Sequence, residues 1–151
     1  MSSIPIDALD RAARVVGDRW SMLILAALLD DERRYGELKA AIGGIASNVL
    51  AQRLATLERA GLVVAEPYSQ RPLRMRYALT PQARELAGAL TMLAAWGSAR
   101  AEPGEDESLR HEVCGTPLQV RWHCPACDVD VDVALREDGD DPLGAGTTFI
   151  A

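Results

Sequence analysis

The chain has 151 residues, 48% of them hydrophobic, and carries 16 basic against 22 acidic side chains, a net charge of −6. This suits one core of ordinary size with a small appendage. It does not suit a membrane span, because the longest apolar run, Met22 to Leu29, is eight residues against the ~20 a spanning helix needs.

No basic patch followed by an apolar stretch opens the chain, so no secretion signal is expected and the expected compartment is the cytoplasm. The acidic total hides an asymmetry. Residues 1–100 carry 13 basic and 10 acidic groups, whereas residues 101–151 carry 3 and 12. Within residues 33–76 there are eight basic groups and three acidic ones. Salt screens charges beyond ~8–10 Å, so this local excess can meet a polyanion while the acidic tail stays clear of it. A merely solvated basic face is the competing explanation.

Leu9, Ala12, Ala13 and Val16 fall at helical spacing, and Gly17 ends that first helix. Asp18 is placed to cap a second helix that is apolar nearly all round (Trp20, Met22, Leu23, Ile24, Leu25, Leu28, Leu29) and so should be central and buried. After the polar turn Asp30-Asp31-Glu32, the residues Tyr35, Leu38, Ala41 and Ile42 predict a two-turn helix stopped by Gly43-Gly44. Ser47 is the expected N-cap of the next helix, whose inward stripe is Leu50, Leu54 and Leu57. Gly61 then stands where a left-handed residue is wanted.

Two strands follow, Leu62 to Tyr68 and Leu73 to Leu79, joined by Ser69-Gln70-Arg71-Pro72. Thr80-Pro81 caps and opens a long helix expected to run unbroken to about Ala99. A helix pair around a tight turn, followed directly by a β-hairpin, is the winged helix-turn-helix arrangement. The expected fold is therefore mainly α with a small β wing. The sequence divides into a DNA-binding and dimerisation domain over 1–100, an acidic linker over 101–110, a Cys/His hairpin module over 111–136, and an acidic, Gly-rich tail over 137–151.

Several segments resemble the HxlR-type regulators, relatives of the MarR-type winged-helix proteins. Gly17-Asp18-Arg19-Trp20-Ser21-Met22-Leu23-Ile24-Leu25 is similar to the family's GxW-T-x-x-I-L segment, and Arg34-Tyr35-Gly36-Glu37-Leu38 to its R-F-x-E-L. Ile45 to Leu62 resembles its recognition helix, and Arg76-Tyr77-Ala78-Leu79-Thr80 the close of its wing. The resemblance covers roughly residues 8–99. It implies a homodimer joined through the first and last helices of the domain, acting as repressor or activator on palindromic operators. A small-molecule effector is compatible with this class, and no residue pattern specifies one. Three departures stand out, one being the acidic, Cys-bearing extension past residue 101, which is not part of the minimal family domain. Ala46 replaces a family serine. Asp7 occupies the slot where many members carry a cysteine, and residues 1–113 contain none, which argues against thiol sensing inside the DNA-binding domain.

With the leucines turned inward, the recognition helix should present Ser47, Asn48, Ala51, Gln52 and Ala55 outward. Asn48 and Gln52 are four apart and so share one side. Both are amides able to pair with adenine in the major groove of double-stranded DNA. Arg53 beside them could reach guanine or a phosphate. Arg71 at the hairpin tip and Arg74 on the returning strand suit a minor groove or phosphates. Arg33, Arg34 and Lys39, around the preceding helix, suit phosphate contacts. An ordinary solvated polar face is the alternative for all of these.

His111-x-x-Cys114 and Cys124-x-x-Cys127 lie nine residues apart. Leu118, Val120 and Trp122 alternate between them, and Val129, Val131 and Val133 alternate against aspartates after them, which predicts a half-buried hairpin with Cys-Pro-Ala-Cys at its turn. Two ligand pairs held by turns match a zinc ribbon, in which His111, Cys114, Cys124 and Cys127 would hold one structural ion with no open position for catalysis. His123 is a competing ligand. A metal-free hairpin and a Cys124/Cys127 redox pair remain open beside it.

No Ser-His-Asp set, catalytic carboxylate pair, phosphate-cradling glycine loop or dinucleotide fingerprint is present, so an enzyme is not expected. The expected function is sequence-specific transcriptional regulation. The alternatives are a winged-helix protein–protein adaptor and a thiol redox sensor.

Overall fold

A computed structural model of the chain describes residues 4–98, 100, 110–111, 113–118 and 121–131. It divides into two units, Met1–Ala94 and Ala95–Ala151.

The first unit begins with α1 (Ile6–Val16) and α2 (Arg19–Ala27). Asp18 separates them and caps α2 as expected, accepting from the Trp20 and Ser21 amides at 3.1 Å each. A two-residue strand, β1 (Arg33–Arg34), leads into α3 (Tyr35–Ile42). The Gly43-Gly44 turn has φ of +56° and +70°, a conformation that side chains with a Cβ resist. Next come α4 (Ser47–Arg59), the strands β2 (Val63–Gln70) and β3 (Leu73–Leu79), and the helices α5 (Pro81–Arg84) and α6 (Ala87–Ser98), the last of which continues past Ala94 into the second unit. Gly61 follows α4 with φ +71°, which lets the Leu62 amide bond back to the Leu57 carbonyl at 2.9 Å.

The sheet is antiparallel with strand order β1-β3-β2. The β2–β3 register shifts between Pro67 and Ser69, leaving Tyr68 as the extra residue of a bulge. The spacing indicated the inward leucines of α2, α3 and α4, whereas Leu9, Ala12 and Ala13 of α1 and Ala41 of α3 are exposed. Ile24, Leu25 and Leu28, Leu38, and Leu50, Leu54 and Leu57 are all buried, with Ile45, Leu62, Val63, Leu79 and Ala83 completing the core. Each large aliphatic side chain removed from water contributes about 1.5–3 kcal/mol, and this common core aims α3, α4 and the wing.

Four expectations are corrected. Ala46, not Ser47, is the N-cap residue of α4, and it makes no side-chain cap bond; Ser47 is already the first helical residue. The long helix from Pro81 is broken at Glu85–Leu86, and Leu86 and Leu90 pack on the core. The second helix is not uniformly buried, since Leu23 is exposed and Met22 half-buried. Strand β1 was not foreseen, because two residues carry no periodicity.

The second unit contains the hairpin β4 (Trp122–Cys124) and β5 (Val129–Val131), with Cys124 opposite Val129 and Pro125 to Asp128 forming the turn. The turn falls at Cys-Pro-Ala-Cys as the spacing indicated, while Leu118 is exposed. Of the expected linker only Arg110 is described; Val120, Val133 and the tail over 137–151 lie outside the described residues.

Candidate nucleic-acid interface

The recognition face is built from α4 outward. Leu50, Leu54 and Leu57 bury one side, so Ser47, Asn48, Ala51, Gln52 and Ala55 stand exposed on the other. The start of α4 is held by α3. Tyr35 donates its hydroxyl to the Ser47 carbonyl at 2.7 Å, and Lys39 donates its ammonium to the Ser47 hydroxyl at 2.7 Å. These two bonds span the Gly43–Ala46 turn and fix how α4 leaves α3.

The basic residues separate into two groups. Arg53 does not stand free beside the amides. Its Nε lies 3.2 Å from Asp18 Oδ1, and only about a third of either side chain is exposed. The approach is electrostatic and makes no directed hydrogen bond, since Arg53 Nε is buried without a hydrogen-bond partner. Burial pushes the Asp18 carboxyl up. The Ser21 hydroxyl and amide, the Arg53 guanidinium and the Trp20 amide outweigh it and hold the group below the usual carboxylate value. Arg53 thus ties α4 to the first turn of α2. Arg33 is likewise committed, its Nε donating to the Ala27 carbonyl at 2.6 Å. Arg76 pairs with Glu32 and lies 3.9 Å from Glu66.

Arg71 and Arg74 on the wing are exposed and, among the described residues, make no ion pair. Arg34 is also exposed, with its guanidinium over the Tyr68 ring at 4.6 Å from the centroid. Three guanidiniums with spare donors, on β1 and the wing, therefore accompany two exposed amides on α4. Tyr68 is the residue that sequence reasoning missed; the β-bulge that turns it under Arg34 has no marker in the local sequence.

In the second unit, His111 Nδ1 lies 3.2 Å from Cys114 Sγ, and Cys114 Sγ lies 3.2 Å from the Thr116 hydroxyl. The Thr116 hydroxyl and amide, followed by His111, bring the Cys114 thiol down to about 7. His123 is engaged elsewhere, with Nδ1 3.2 Å from Asp130. The donor types suit zinc, and each pair is close within itself: the Cys127 and Ala126 amides and then the Cys127 side chain bond the Cys124 thiol and lower it below its usual value. Among the described residues no three His, Cys, Asp or Glu side chains stand together as a metal site.

A three-stranded wing packed with a helix–turn–helix, and an outward amide face on the second helix, define a winged helix-turn-helix protein. Residues 15–105 match the HxlR-like helix-turn-helix family, and the chain belongs to it. Members of this family are DNA-binding transcriptional regulators, not enzymes. An uncharacterized HTH-type transcriptional regulator of Mycobacterium tuberculosis is 36% identical over 128 residues, spanning 83% of this chain and 80% of the relative. The fold is similar to that of the redox regulator HypR in its oxidized form, with TM-score 0.60 and 25% identity over 63% of this chain and 98% of that one. It is also similar to a MarR-family regulator from Enterococcus faecalis, with TM-score 0.56 and 32% identity over 66% of this chain and 90% of that one. Among the described residues, no helix is long and apolar enough to cross a membrane.

Proposed function

We propose that the chain acts as a homodimeric repressor or activator on a palindromic operator, with α4 in the major groove of double-stranded DNA. The observation that carries this is the exposed Asn48–Gln52 face opposite the buried leucines of α4. In this reading the two amides read base edges. Ser47 and Lys39 sit at the edge of the groove, Arg71 and Arg74 follow the backbone, and Arg53 positions the helix without touching DNA.

The dimer is supported by apolar side chains that the chain leaves in water on α1 and α6. Ile6 is 70% exposed, Leu9 55%, Leu93 54% and Trp96 61%. A second copy supplies the cover that such surfaces lack. Selection of bound duplexes from random DNA tests both statements. An inverted repeat is expected. Recovery of no preferred sequence, or of an asymmetric single site, would remove the proposal.

The zinc reading of the C-terminal module rests on ligand type and spacing alone. We keep it as a proposal of one structural ion on His111, Cys114, Cys124 and Cys127. Metal analysis of the purified chain should give one equivalent; no metal, with three thiols titrating freely, would dispose of it.

A further inference from the structure

A surface pocket of about 280 Å³ lies between the start of α3 and the wing, lined by Arg34, Tyr35, Tyr68, Arg74, Met75 and Tyr77 among others. Two of its lining groups are guanidiniums and three are tyrosines. The Arg34 guanidinium lies over the Tyr68 ring, 4.6 Å from its centroid. The register shift between Pro67 and Ser69 makes Tyr68 the bulged residue, and a bulge of this kind re-aims a side chain.

One acid stands close. Glu37 Oε1 is 4.0 Å from Arg34 Nε. The other oxygen of that carboxylate accepts from the Arg34 amide at 2.7 Å, so the carboxylate is committed to capping α3. Its contact with the guanidinium is through Nε, which leaves the terminal nitrogens of Arg34 for an incoming oxygen. A guanidinium held in one orientation by a ring loses less freedom on binding than a free one, and planar forked donors suit a phosphate.

We propose that Arg34 and Arg74 form a preformed seat for one backbone phosphate of bound DNA, and that Tyr68 is the positioning residue that holds Arg34 in place. This rests on the DNA-binding reading and adds a specific phosphate contact to it. The contact carries no sequence information; it sets the register of the wing on the duplex.

The test uses the full chain and a random-sequence 30-base-pair duplex, with affinity followed by fluorescence anisotropy over a salt series. Arg34→Ala should make the slope of log K against log[salt] less negative by about 0.9, the loss of one phosphate contact. Tyr68→Leu should weaken binding by about two- to fivefold, the scale of an exposed cation–π contact, and Tyr68→Phe should keep wild-type affinity. In the Arg34→Ala background, Tyr68→Leu should add nothing. Equal weakening in both backgrounds, a Phe variant as weak as Leu, or unchanged binding in Tyr68→Leu each overturns the proposal.

Inorganic phosphate at constant ionic strength should leave DNA binding unchanged. Selective displacement through Arg34 would mark a small-anion site instead and overturn the assignment. Thermal melts of each variant check folding. A wild type that binds no duplex would refute the functional proposal and this one together, whereas a binding wild type with indifferent variants refutes only the phosphate seat.

Discussion

Replacing Asp18 by alanine removes two things at once. The first is the cap of α2, where the carboxylate accepts from the Trp20 and Ser21 amides and from the Ser21 hydroxyl; losing an N-cap of this kind costs about 1 kcal/mol. The second is the charge opposite Arg53 of α4. With about a third of each side chain in water, that pair is worth at most about 1 kcal/mol. The expected total is roughly 2 kcal/mol, which for a unit of this size lowers Tm by about 8–16 °C. Asparagine caps nearly as well as aspartate, so Asp18→Asn should lose only the charge and fall well short of the alanine variant.

The pH dependence has a defined sign. The folded carboxyl lies below its usual value. Its contribution is therefore fully present above the unfolded value of about 3.9 and is lost as pH falls through the lower folded value. The gap between wild type and Asp18→Asn should close below about pH 4. Urea melts of the wild type and both variants, with and without Arg53→Met, measure this directly. If Asp18→Ala costs under about 0.5 kcal/mol, or if Asn is as damaging as Ala, the cap and the pair do not act as described.

At the DNA interface, Asn48→Ala or Gln52→Ala should lower preference for the selected operator over random DNA by about 1–3 kcal/mol. Arg71→Ala should weaken both duplexes alike. Competition binding distinguishes the two patterns, and a Gln52→Ala variant that loses affinity evenly would reassign that residue to the backbone. Gly61→Ala has a purely conformational cost, because no atom lies within 4 Å of the added Cβ while φ is +71°. A loss of about 1–2 kcal/mol is expected in urea melts, and an unchanged midpoint would show that the turn after α4 relaxes.

What the sequence determined was everything local that repeats or caps. Leu50, Leu54 and Leu57 recur at helical spacing and are buried, Asp18 precedes α2 and caps it, and Gly61 stands where the left-handed turn falls. Those features follow from backbone periodicity and from single side chains acting on their own neighbours, so they survive without knowledge of the rest of the chain. The outward position of Asn48 and Gln52 follows from the same periodicity.

Tertiary structure decided which charges are spent. Arg33, Arg53 and Arg76 look as available as Arg34, Arg71 and Arg74 in the sequence. The first three are engaged by Ala27, Asp18 and Glu32, residues brought to them by folding. The pairing of β1 with β3 and the bulge at Tyr68 were decided the same way. Each depends on contacts between segments distant in the chain, where packing and hydrogen bonding outweigh local preference. The placement of Tyr68 beneath Arg34 is of this kind: two residues 34 apart in the sequence meet because the short strand that ends at Arg34 pairs with β3 beside the bulge.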